Sequence, residues 1–164
     1  MNEERVKKLQ ETFSKRLDVL MDCRFVSQQD LASKIGVSRA TVWRWCNGVS
    51  LPNIRDMFRL CLFFDASLTD LTGFGIFVAA SDGINPIKKT DDESKLCRLC
   101  GVDLKTRLAE KGKTALDMAN DLDISTSVIS RWITGQRWPS VISAIRVCNW
   151  LDVCPYDLWS YGIE

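Results

Sequence analysis

Apolar residues recur at spacings of three and four over the first 23 positions: Val6, Leu9, Phe13, Leu17 and Leu20. That period marks one face of an α-helix and predicts a helix over residues 3–23. Four shorter elements follow. Ser27 can cap a second helix, with Leu31 and Ala32 facing inward and Asp30 third, where an acid suits the helix dipole. Gly36 breaks that helix, and Val37 reads as a buried turn residue. Ser38 caps a third helix, with Val42 and Trp45 three apart on its inner face, and Asn47-Gly48 stops it. Asn53 caps a fourth, Ile54 to Phe64, apolar along one side, and Leu68 to Phe74 make a short fifth.

The pattern then returns. Residues 17–75 align with 104–162 without a gap, with identities such as Ala32/Ala119, Ser38/Ser125, Trp45/Trp132, Gly48/Gly135, Arg59/Arg146 and Asp65/Asp152. Val42/Ile129 and Val37/Ile124 keep their character. In the second copy Thr114, Ser125 and Ser140 are the caps, Gly135 is a stop and Pro155 opens the last helix. Agreement over five elements predicts one supersecondary plan used twice, and the period is too long for a solenoid. The fold class is therefore all-α, with two tandem five-helix domains over residues 1–77 and 93–164. The stretch between them, 78–92, holds Gly83, Asn85-Pro86 and a run of charges, and reads as a linker.

Composition narrows the chemistry. The 164 residues include no histidine, which removes Ser-His and Cys-His catalytic pairs and zinc sites of the Cys₂His₂ type. No phosphate-binding loop is present, so neither an enzyme nor a cofactor is expected. Seven cysteines cannot all pair. Cys23, Cys46, Cys61, Cys148 and Cys154 read as small buried hydrophobes, and Cys97 and Cys100 as packing residues on one helix face, with no metal. The N-terminus lacks the apolar run of a signal peptide, and no stretch is long enough to span a bilayer. A cytoplasmic protein with no membrane partner is expected. The net charge of +1 is no global sign of nucleic acid, so a DNA-binding case must come from local residues.

Those local residues are Ser27-Gln28-Gln29-Asp30-Leu31-Ala32, Gly36-Val37-Ser38, Thr41 through Gly48, Pro52, and Phe63 through Leu71. Together they resemble the lambda-repressor-like helix-turn-helix family, strongly over residues 5–75 and more loosely over 95–162. The resemblance implies that the third helix reads DNA in the major groove. It points to Ser27, Gln28, Ser38, Arg39, Ala40, Thr41, Trp43, Arg44 and Asn47 as DNA-binding residues in the first copy. Within it, Arg39 matches a base-edge position, Gln28 a backbone contact that supports the recognition helix, and Asn47 a phosphate-contact region. An arginine at such a position can pair bidentately with guanine. Trp43 has two readings: contact with thymine methyls, or cover by a partner protein or the other domain.

The second copy offers Ser125, Thr126, Ser127, Ser130, Arg131 and Arg137. Ala115 stands where the first copy has Gln28, and Asp117, Asp121 and Asp123 bring acid near the expected DNA face. Residues 1–81 carry 11 basic and 9 acidic side chains, and residues 82–164 carry 11 and 12, so the first copy is expected to bind DNA better. A linker of this length reaches roughly 50 Å when extended, enough for half-sites about 34–36 Å apart. The expected partner is double-stranded DNA and the expected role a transcriptional regulator, a repressor of phage, prophage or mobile-element type. The alternative is a protein-interaction module, such as an antitoxin or phage inhibitor with autorepressor activity. Its C-terminal domain would then bind a protein partner or form a homodimer.

Overall fold

The computed structural model describes residues 3–73 and 93–159. These form ten α-helices: α1 (Glu3–Cys23), α2 (Gln28–Ile35), α3 (Arg39–Cys46), α4 (Ile54–Phe64), α5 (Leu68–Thr72), α6 (Glu93–Glu110), α7 (Ala115–Leu122), α8 (Thr126–Ile133), α9 (Val141–Leu151) and α10 (Pro155–Trp159). The described residues contain no strand. They divide into two compact units, one built around α1–α5 and the other around α6–α10. The expected linker, 78–92, lies outside the described residues.

In the first unit α1 packs on α3 and α5, and α2 packs on α3. The inner face of α1 is Leu9, Phe13, Ser14, Leu17 and Met21. Leu20, expected in the core, is only half-buried, because the stripe advances by four from Leu17 to Met21. Leu31, Ala32 and Ile35 of α2 and Val42 and Trp45 of α3 complete the core beside Met57, Phe58, Leu68 and Leu71. Val37 in the turn is half-buried rather than buried. The fifth helix stops at Thr72, because Gly73 takes a left-handed φ of 70° and its N–H closes on Thr69 O. Phe74 lies outside the described residues.

The second unit repeats the plan, with α6 and α7 packed on α8, and α10 on α6 and α9. Several repeated identities have a structural reason. Arg59 donates to Ile35 O at 3.1 Å, and Arg146 donates to Leu122 O, so each arginine ties its helix to the C-terminal end of the first helix of the helix-turn-helix. Asp65 and Asp152 hold left-handed φ values of 49° and 54°, which an aspartate tolerates better than most residues. Gly48 and Gly135 hold 64° and 68° just after α3 and α8.

Elsewhere the two units differ. Phe25 has φ 54° and is 95% exposed, whereas its counterpart Gly112 holds φ 61°. Ser14 of α1 is matched by Gly101 of α6, and the space is correspondingly tighter in the second unit. A Cβ on Gly135 would fall 2.5 Å from the Arg98 backbone, while one on Gly48 would make ordinary contacts with Ser14 Oγ at 3.5 Å and Gln10 O at 3.6 Å. Not every cysteine is a core residue as expected. Cys23 is exposed and Cys46 and Cys154 are intermediate, whereas Cys61, Cys97, Cys100 and Cys148 are buried. Cys23 ends α1 two positions past Met21, and that step turns it away from the buried stripe.

Candidate nucleic-acid interface

The turn between α2 and α3 is set by two serine caps and one left-handed residue. Ser27 Oγ accepts from Asp30 N at 3.2 Å and donates to Asp30 Oδ2 at 2.5 Å. Its proton is thus committed, and Ser27 acts first as a cap. Gly36 turns the chain at φ 77°, with its N–H on Ala32 O. Ser38 Oγ then accepts from Thr41 N at 3.1 Å and shares a hydroxyl bond of 2.8 Å with Thr41 Oγ1. Only one of those two protons is consumed in the pair, so one O–H is left to donate elsewhere.

Val42 and Trp45 are buried, and they fix the roll of α3 about its axis. The opposite face carries Arg39, Ala40, Trp43, Arg44 and Asn47, all exposed, with Thr41 at the margin. No acid occurs on α3. Its exposed face therefore presents two permanent cations around an indole ring. At the end of the helix Asn47 Nδ2 donates to Trp43 O at 2.8 Å, which leaves a second amide N–H. Gln28 is half-buried and reaches the Cys46 thiol, bridging the start of α2 to the end of α3. Burial, then the charge of Asp18 and a hydrogen bond to it, push the Cys46 thiol up to about 12. It stays protonated at neutral pH and acts as a packing group beside Met21 Sδ, 3.8 Å away.

In the second unit Thr114 and Asp117 form a full capping box on α7, and Asp123 replaces the turn glycine at φ 49°. Ile129 and Trp132 are buried, as Val42 and Trp45 are. Ser125 sits at the cap position of α8 but makes no side-chain cap. Its hydroxyl instead pairs with Ser127 Oγ at 3.1 Å, since a serine two residues on competes for it. Ser125, Thr126, Ser127, Ser130, Arg131 and Arg137 are all exposed. The acids expected to weaken this face are partly engaged: Asp117 belongs to the capping box, and Asp121 Oδ2 accepts from Trp150 Nε1 at 2.9 Å. Lys113 Nζ lies 4.0 Å from the centre of the same indole.

Thr134 was not among the sequence candidates, yet its Oγ1 donates to Ser130 O at 2.8 Å, as Asn47 does to Trp43 O. The gap-free alignment holds the signal, because it sets Thr134 opposite Asn47. Among the described residues no group of three or more Cys, Asp or Glu is placed to hold a metal ion, and no helix is long and apolar enough to cross a membrane.

A family model described as helix-turn-helix matches the chain twice, over residues 26–71 and 104–159. The two stretches cover more than half of the chain and enclose α2–α3 and α7–α8. No curated protein and no solved structure matches it.

Proposed function

Because this chain belongs to the helix-turn-helix family of DNA-binding regulators, we propose that it is a sequence-specific transcriptional repressor reading the major groove with α3. The observation that carries this reading is the division of α3 into two faces. Val42 and Trp45 are buried, and Arg39, Ala40, Trp43, Arg44 and Asn47 are presented outward with no acid among them. Arg39, one residue past the cap, is the base-reading residue, since guanine O6 and N7 suit its planar fork. Ser38 or Thr41, Asn47 and Arg44 hold the phosphates on either side, and Gln28 braces the end of α3. The second unit is a second, weaker reader, with Thr126, Ser127, Ser130 and Arg131 on α8 and Arg137 after it. With domains at 1–77 and 93–164 joined by 78–92, one chain covers two unlike half-sites.

The test is selection of binding sites from random duplex DNA with the full chain, followed by a salt titration. A steep fall in affinity with salt is expected. Arg39→Ala should weaken the selected site by about 1–3 kcal/mol and relax preference at one base pair. No binding to any duplex at low salt would sink the proposal.

A second reading has its own support. Leu99 and Val102 on α6 and Leu116 on α7 are exposed. Such residues suit a second unit that holds a protein partner or a second copy, as in an antitoxin that represses its own gene. Sedimentation of the full chain with and without Val102→Lys separates the two: a dimer lost in the variant favours this reading.

A further inference from the structure

We propose that Trp43 is a specificity-determining residue whose indole reads a thymine by its C5-methyl group. The inference rests on α3 reading base edges, as proposed above. Trp43 and Trp45 lie two residues apart on one helix, yet Trp43 is 52% exposed and Trp45 2%. Trp45 and Val42 already fill the core side of α3, so Trp43 contributes no core anchor.

Its surroundings select the occupant. Ala40 lies one turn earlier, is small and is itself exposed, so it adds little cover to the half-exposed indole. Arg39 and Arg44 flank it, and α3 carries no acid, so the matching surface is anionic, as a phosphate backbone is. Within the major groove the one apolar group on a base edge is the thymine methyl, and O4 beside it accepts a hydrogen bond. An indole matches that pair, with an apolar body and a single N–H donor. No partner among the described residues takes the Trp43 Nε1–H. In the second unit the equivalent residue is Ser130, which has no apolar body, so α8 should carry no such methyl dependence.

The experiment uses the full chain and its selected duplex, with each thymine replaced in turn by deoxyuridine, which removes the methyl alone. One replacement should lower wild-type affinity about fourfold, the value for one buried methyl at about 0.8 kcal/mol. The same replacement should leave Trp43→Ala unaffected, and Trp43→Phe should keep part of the discrimination. Trp43→Gln, checked for folding by circular dichroism, provides a second variant. A selected site at which no thymine methyl distinguishes wild type from these variants overturns the proposal while base reading stands. Loss of self-association in Trp43→Ala, without any methyl effect, also overturns it, and assigns the ring to a second copy. Failure to select any preferred site overturns base reading and this inference together.

Discussion

A Cβ on Gly101 would fall 2.3 Å from the carbonyl oxygen of Ile133 and 2.7 Å from that of Trp132. Both are backbone atoms at the end of α8, so α6 and α8 touch main chain to main chain. The equivalent contact in the first unit is looser, with Ser14 in place of glycine and its Oγ on Glu11 O at 3.1 Å. Gly101→Ala must therefore push the helices apart and should cost about 1–3 kcal/mol in a denaturant melt. Ser14→Ala should stay within about 1 kcal/mol. Equal effects would mean that α6 lies no closer to α8 than α1 does to α3.

Phe25 invites the opposite change. Its left-handed backbone costs about 1–2 kcal/mol in any residue with a Cβ, and at 95% exposure its ring gives little packing in return. Gly112 already fills the same place in the second unit. Phe25→Gly should raise stability by about 0.5–1 kcal/mol, the unfolded chain's extra freedom offsetting the rest. Thermal melting of the full chain checks it; a lower midpoint would show that the ring packs in the folded state.

Acid should weaken two caps. The Ser67 hydroxyl and then the Ser67 N–H hold the Asp70 carboxyl below its ordinary 3.8. Thr114 does the same for Asp117 through its hydroxyl at 2.7 Å and its N–H at 2.8 Å. A carboxyl depressed in the folded state binds fewer protons there than when unfolded. Its contribution is complete above the unfolded value and is lost as pH falls through the folded one. The midpoint of melting should fall as pH drops through and below 3.8, and Asp70→Asn with Asp117→Asn should flatten part of that fall while lowering stability at neutral pH. An unchanged slope in the double variant would contradict the capping geometry.

The two units should contribute unequally to salt-dependent binding. Each phosphate contact removed lowers the slope of log K against log salt by about 0.9. Arg44→Ala should weaken binding to random duplex more than Arg131→Ala, its counterpart on α8. The reverse order would make α8 the main reader.

Most of the helical plan was legible because it rests on local rules. The spacing of Val42 and Trp45, the serines at 27 and 38 and the stop at Asn47-Gly48 act within one or two turns. With Val42 and Trp45 inward, the same register turns Arg39, Ala40, Trp43 and Arg44 outward, while their link to DNA came from the family resemblance. What escaped depends on approach in space or on competition between neighbours. Gly101 looks like an ordinary helical glycine until Ile133 is brought against it. Ser125 has the right residue type for a cap, but Ser127 takes its hydroxyl. Cys23 shares the composition of a core residue yet falls on the wrong side of α1. Phe25 gave no warning, since only its match with Gly112 marks the position as left-handed.

The paired anchors Val42/Ile129 and Trp45/Trp132 make the outward faces of α3 and α8 interchangeable parts. Each helix has eight residues, begins one residue after a serine and seats its tryptophan at the same step. Exchanging Arg39, Ala40, Trp43 and Arg44 for Thr126, Ser127, Ser130 and Arg131 leaves both cores as they are. The chain is thus a socket with two plugs, and new recognition can be written into either one without renegotiating the fold.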